Sequence, residues 1–312
     1  MSQHTGIGQA AKASPGRAAQ RRSANGPAYA MLLPWLIGFF GLTAIPMIAS
    51  LYLSLTDYSL LAPPEWIGVE NYEYMFNGDY RFWPSLRVTA FYVFVSVPLA
   101  TSVALLVAVG LNRQMPGIGV LRSVYYLPSL LGGSVAVAIL WRELFDRDGL
   151  VNIALSWFGI DGPAWLALPN TAPWTLVFLS AWQFGAPMVI FLAALKQIPS
   201  DLYEAAELDG ANKFQVFFTI TLPMITPIVF FNVVMQMITA FQAFTPAFVI
   251  SNGTGAPLDA TLFYTLYLYI EGFSNFRMGY ASALAWVLLA IIAVLTAIAF
   301  ATARFWVYNP DD

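Results

Sequence analysis

Glu204, Glu207 and Asp209 crowd one short polar stretch, S-D-L-Y-E-A-A-E-L-D-G (200–210), where the residues between them include Ala205 and Ala206. Carboxylates set among such small side chains suit charge pairing with a protein that approaches closely. A second group lies in apolar sequence: Gln236, Thr239 and Gln242 recur every third residue with Phe241 and Phe244 beside them, and Trp182–Gln183 repeats the pairing of amide and aromatic face. Ser129 adds a hydroxyl after Pro128. These groups make hydrogen bonds and bring no nucleophile or base. They also suit the binding of one helix to another, and the sequence leaves both uses open. The chain has no cysteine and a single histidine, His4, which excludes thiolate or imidazole metal sites, haem ligation and histidine acid–base chemistry. Without a G-x-x-x-x-G-K-[ST] segment it cannot hold ATP through a P-loop.

The elements that position these residues follow from composition. Hydrophobic residues make up 59% of the 312 and charged residues only 10%, against roughly a quarter charged in soluble domains. So few charges cannot cover a water-facing surface, and the net charge of −3 gives no footprint for nucleic acid. Residues 1–28 carry almost no large apolar side chains but hold Lys12, Arg17, Arg21 and Arg22, which predicts a disordered cytoplasmic tail ahead of a retained signal anchor. Six uncharged runs reach the roughly 20 residues that a bilayer core demands: 31–55, 88–111, 123–141, 173–195, 222–250 and 278–303. The expected fold is an all-α polytopic membrane domain over 29–308, with about six spans. Nine Lys and Arg fall on the side holding both termini against five opposite, so both termini are expected in the cytoplasm. No run holds Asp, Glu, Lys, Arg or His, which counts against a proton-driven carrier, a voltage sensor or an anion pore. A sodium-coupled carrier working alone stays open.

The cytoplasmic loop 196–221 has the punctuation of a short helix outside the membrane. Pro199 ends the fourth span, Ser200 is the expected N-cap, Asp201 sits in the first turn and Gly210 provides a stop. Leu202, Ala205, Ala206 and Leu208 form its apolar stripe, and a second short helix over 212–219 would turn Phe214, Phe217 and Phe218 toward the bilayer. An interfacial helix that merely joins two spans is the alternative, but such helices favour Lys and Arg over large apolar residues, and this one is acidic with alanines. Pro187, Pro223, Pro227 and Pro246 are expected to kink or break spans.

Glu204-Ala205-Ala206, Gly210 after three intervening residues, Ile220 after nine more, and then Leu222-Pro223 resemble the EAA loop of bacterial importers of the ATP-binding cassette superfamily. The segments S-L-T-D-Y-S-L-L-A-P-P-E-W-I-G-V-E-N-Y (54–72), R-S-V-Y-Y-L-P (122–128), I-S-N-G-T-G (250–255) and M-G-Y-A-S-A-L-A (278–285) are similar to its carbohydrate permeases of the maltose, lactose and glycerol-phosphate type. The resemblance covers about 30–308. It implies a compact member without an inserted external domain, and the ending R-F-W-V-Y-N-P suits the first of two non-identical permeases. It further implies a cytoplasmic ATPase dimer that carries ATP and magnesium, a second homologous permease, an extracytoplasmic solute-binding protein and a sugar substrate in a bacterial inner membrane. Glu204, Ala205, Ala206, Asp209 and Gly210 would then dock the ATPase. The sugar-contacting positions of the branch fall near Ser129, Gly133, Gln183, Ala186, Gln236, Ala240 and Ala243, joined by Trp182, Thr239 and Gln242 from their chemistry. Several of these positions are alanines here, so specificity does not carry over. An importer of the same superfamily for another solute is the nearest alternative.

Overall fold

The computed structural model describes residues 31–113 and 115–308 and divides into two units, with the boundary between Tyr52 and Leu53. The expected tail 1–28, the end of the R-F-W-V-Y-N-P segment and Gln114 lie outside the described residues. The described part of the first unit is one apolar helix, α1 (Met31–Ser54), which runs on into the second unit. It widens into a π-turn at Phe40–Ala44, where the Ile45 N–H reaches back to the Phe40 carbonyl. Pro46 follows, and its ring would clash with the Leu42 carbonyl in a regular turn.

The second unit holds a short antiparallel hairpin, β1 (Thr56–Asp57) and β2 (Glu65–Trp66), then α2 (Glu70–Asn77) and the long α3 (Phe82–Leu111). There follow α4 (Ile118–Leu131), α5 (Val135–Leu144), α6 (Leu150–Ser156), α7 (Ala172–Trp182), α8 (Gly185–Leu195), α9 (Ser200–Leu208) and α10 (Lys213–Val216). A π-turn at Phe217–Thr221 joins α10 to α11 (Leu222–Phe241). The chain ends in α12 (Thr245–Ile250), α13 (Tyr264–Tyr269) and α14 (Met278–Ala303). Among the described residues four helices are long and apolar enough to cross a membrane: α1, α3, the stretch Lys213–Ile250 and α14. Two bent pairs, α4 with α5 at 103° and α7 with α8 at 41°, bring the number to six if each is one span.

The apolar run 123–141 is therefore divided between two helices at a sharp bend. The first helix begins at Ile118, keeps Pro128 and Ser129 inside its last turns, and stops at Gly132, whose φ of +52° suits glycine alone. Ser134 then restarts the chain by accepting the Val137 N–H at 3.3 Å. The other interruptions follow the prolines. The break at Gln183–Phe184 lies four residues before Pro187, and α11 stops at Gln242, four before Pro246. Pro223 is preceded by the π-turn, and the Pro223 carbonyl that Pro227 cannot engage takes the Thr226 hydroxyl at 2.7 Å.

Helix α3 is the central post. Ala100, Ala104 and Ala108 recur every four residues and are buried, so α8 and α11 approach its backbone closely through Met188, Phe191, Leu192 and Ile225. A second cluster packs Tyr92, Val93 and Val97 of α3 with Phe263, Tyr264, Tyr267, Tyr280 and Leu284. The Thr89 hydroxyl accepts the Tyr264 N–H at 2.8 Å and donates to the Ser85 carbonyl at 2.8 Å.

At the opposite end of α3 from Leu111, Asp79 is 6% exposed. Its carboxylate accepts the Tyr267 hydroxyl at 2.5 Å, the Tyr280 hydroxyl, and the N–H groups of Arg81 at 2.8 Å and Phe82 at 3.3 Å. Arg81 makes a two-pronged pair with Asp259 at 2.6 and 3.1 Å, and Arg277 pairs with Glu271 at 3.2 Å while lying over the Tyr74 ring. Burial pulls the Arg81 guanidinium down, but the hydrogen bond and charge of Asp259 outweigh it and hold its pKa above the ordinary value.

Gly279 is wedged under the hairpin: an added Cβ would lie 2.1 Å from the Thr56 carbonyl oxygen, and the Gly279 N–H donates to the Tyr58 carbonyl at 2.9 Å. Gly279→Ala is expected to destabilise the protein by about 1–3 kcal/mol through overpacking. Gly110→Ala, whose Cβ meets nothing within 4 Å, should be neutral or gain up to about 1 kcal/mol of helix propensity. Thermal unfolding of the two detergent-solubilised variants reads the difference directly.

Candidate functional site

Two regions collect the residues singled out in the sequence. The first is the exposed helix α9. Ser200 is its first helical residue, with its hydroxyl on the Asp201 carboxylate at 3.3 Å, so Pro199 occupies the N-cap position without a side-chain cap, in place of the expected Ser200. The C-terminus forms a complete Schellman motif: the Ala211 N–H reaches the Ala206 carbonyl at 3.0 Å and the Gly210 N–H reaches Glu207 at 3.1 Å. Gly210 has φ +74° at the position where the motif demands a left-handed residue. Asn212 and Gln215 then build a capping box, at 2.8 and 3.0 Å, that starts α10.

The separate second helix over 212–219 is corrected, because α10 runs through the π-turn into α11 as one helical stretch, Lys213–Ile250. The apolar stripe also divides. Ala206 alone is buried, and Tyr203 ties the helix to the body through Thr221 at 3.2 Å, while Leu202, Ala205 and Leu208 face outward. Leu208 is 90% exposed. Glu204, Glu207, Asp209 and Gly210 are exposed beside them, and no ion pair engages Glu204 among the described residues. The outcome is a rigidly capped acidic helix with small and apolar groups turned to the outside.

The second region is a cavity of about 560 Å³ between the bend of α4 and α5, the bend of α7 and α8, and helix α11, within the usual range of ligand pockets. It brings together Gly133, Gln183, Ala186, Gln236, Thr239, Ala240, Gln242 and Ala243, and its lining carries no charged side chain. Ser129 and Trp182 do not line it. The Ser129 hydroxyl donates to the Tyr126 carbonyl at 2.7 Å where α8 crosses, and Trp182 packs on Trp141 with ring centres 5.7 Å apart.

Part of the amide chemistry does hold helices together. Gln183 donates to the Gly132 carbonyl at 3.0 Å, across the broken span, and Gln236 donates to the Thr101 hydroxyl at 3.0 Å. Tyr92, Ser180, Asn232 and Thr245 also line the cavity and were missed in the sequence. Asn232 could have been found, since it lies four residues before Gln236 on one helix face; Tyr92 carried no such signal. Among the described residues no cluster of potential ligands could hold a metal ion.

Bent, proline-interrupted spans around an uncharged cavity, together with a capped helix standing outside the apolar sequence, define a polytopic membrane permease. The sequence profile described as "Binding-protein-dependent transport system inner membrane component" matches residues 89–307, and the chain belongs to that family. The chain is 53% identical, over 92% of its length and 93% of the relative's, to a probable ABC transporter permease, YesP, of Bacillus subtilis. It is 32% identical over 83% of its length, and 88% of the relative's, to the lactose transport system permease LacF of Rhizobium radiobacter. In fold it is similar to a chain from the crystal structure of a bacterial alginate ABC transporter in complex with an alginate pentasaccharide-bound periplasmic protein. That match has a TM-score of 0.79 at 22% identity and covers 92% of this chain and 97% of the other.

Proposed function

We propose that this chain forms one half of the path by which a carbohydrate is imported across the bacterial inner membrane, with the energy supplied by a separate ATPase dimer that docks on α9. The observation that carries this reading is the exposed acidic helix itself, held by a Schellman motif at Gly210 and with no ion pair to Glu204 among the described residues. Glu204 pairs with a basic group on the ATPase, Ala205 lets the surfaces close, and Ala206, Asp209 and Gly210 fix the helix end. ATP and magnesium are held by that partner. The excess of Lys and Arg on the side of α9 supports a cytoplasmic position for it and for both termini.

Closure of the ATPase then rocks the spans between outward-open and inward-open packings. The pivots are the interruptions at Gly132, Gln183 and Gln242, which also border the cavity. Sugar, delivered by an external binding protein, passes the hydrogen-bonding groups of Thr239, Gln242 and Gln183 and the ring of Phe244, and a second permease supplies the facing wall. That relatives are named for lactose, for starch degradation products and for arabinooligosaccharides supports the carbohydrate class.

Affinity purification of the tagged chain from native membranes tests the assembly. Co-purification of an ATPase and a second permease is expected, and a chain that purifies alone contradicts it. Thr239→Ala with Gln242→Ala should raise the apparent KM for the carried sugar about tenfold, by the loss of two hydrogen bonds of roughly 0.5–1.5 kcal/mol each, while ATPase co-purification stays intact. Initial uptake rates against sugar concentration give the KM.

A further inference from the structure

A second cavity, of about 640 Å³, lies apart from the solute cavity and from the outward face of α9. Arg113, Arg122 and Lys196 all line it, together with Asn112, Met115, Pro116 and Ile118. No carboxylate pairs with any of the three cations among the described residues. Arg122 is anchored there by a bond from its Nη2 to the Leu111 carbonyl at 2.8 Å, which caps the end of α3. Its Nε is buried and has no hydrogen-bond acceptor among the described residues, a cost the fold carries unless an anion offsets it.

The place of this cavity selects the anion. It sits where three apolar elements end or begin, at Leu111 of α3, Ile118 of α4 and just past Leu195 of α8, which is headgroup depth for helices that span a bilayer. Met115, which lines it, stands 48% exposed. Such a rim suits acyl chain better than water. Basic pockets between spans at the cytoplasmic boundary are built for lipid headgroups. A docking ATPase is the poorer occupant, because the acidic α9 calls for a basic partner and three cations would repel the same surface.

We propose that Arg113, Arg122 and Lys196 form a binding site for the phosphodiester of an anionic phospholipid of the cytoplasmic leaflet, with Met115 and Ile118 against its glycerol and upper acyl chain. The choice of leaflet and the preference over a docking ATPase rest on the function proposed above.

The test uses the full chain with its co-purifying subunits, extracted into an equimolar mixture of phosphatidylglycerol and phosphatidylcholine, with the lipid retained after washing quantified by mass spectrometry. At roughly fivefold per cation, Arg113→Gln with Lys196→Gln should cut the retained phosphatidylglycerol-to-phosphatidylcholine preference of this site by about 25-fold. Arg113→Lys with Lys196→Arg should keep it, which separates loss of charge from misfolding. Equal retention of both lipids by the wild type, or an unchanged preference in the glutamine variant, overturns the site. Displacement of the lipid by millimolar glycerol phosphate as readily as by phosphatidylglycerol would make it a site for a soluble phosphate and overturn the lipid assignment. Glu204→Lys should lose the ATPase yet keep the lipid preference, so failure of the docking account and failure of the lipid site are distinguishable.

Discussion

Glu204→Lys should abolish ATP-driven uptake and strip the ATPase from the purified complex while leaving the fold intact. The side chain is exposed and unpaired among the described residues, so its reversal costs the isolated chain little stability. At the docked surface it replaces an attractive pair by like charges, worth several kcal/mol, which is about a hundredfold or more in affinity. Gly210 provides a second, independent handle. At φ +74°, Gly210→Val imposes a left-handed β-branched residue and should loosen the Schellman end and weaken docking, whereas Gly210→Asn, which tolerates that conformation, should retain most activity. Quantitative pull-down of the ATPase by the three variants, at matched thermal stability for Glu204→Lys, reads the effect. Undiminished docking of Glu204→Lys would remove α9 from the coupling path.

Asp79→Ala should be the most damaging single change to the fold. Deleting the carboxylate leaves two tyrosine hydroxyls and the N–H groups of Arg81 and Phe82 without their acceptor. Removing a charged partner from such a buried network costs about 3 kcal/mol or more. Asp79→Asn keeps one carbonyl oxygen for the N-terminal N–H groups of α3 but turns an NH2 toward a hydroxyl, so an intermediate loss is expected. The thermal midpoint in detergent should fall in the order wild type, Asn, Ala; an Ala variant within a degree or two of wild type would show that water replaces the carboxylate.

The sequence exposed what depends on local chemistry. Apolar runs of bilayer length, a proline four residues past the start of each interruption in α7–α8 and α11–α12, and a glycine at the left-handed end of α9 are visible residue by residue. It was less informative wherever tertiary geometry decides. Gly132-Gly133-Ser134 was folded into a continuous apolar run, because hydropathy averages over a break that only backbone conformation and the Ser134 cap produce. The boundary of α9 was misjudged by one residue at Ser200, and the second loop helix merged with α11 because a π-turn let the chain pass Pro223 without stopping.

Nothing in the sequence sets Asp79 apart from its neighbours in a polar loop. Its burial comes from Tyr267 and Tyr280, 188 and 201 positions away, which no local pattern announces. The lining of the cavity between the bends was more legible, since glutamine and threonine in an apolar helix mark themselves. Trp182 and Ser129 fall outside that lining, because helix rotation at a broken span cannot be read from spacing.

The central claim is that this chain transports only as part of an ATP-driven assembly coupled through α9. The most direct measurement is uptake of labelled oligosaccharide by vesicles that hold this chain, the second permease and the ATPase, with binding protein and ATP supplied or withheld. Uptake that needs both, and that vanishes with Glu204→Lys, is the predicted result. Uptake by vesicles holding this chain alone, driven by an ion gradient without ATP, would contradict the account.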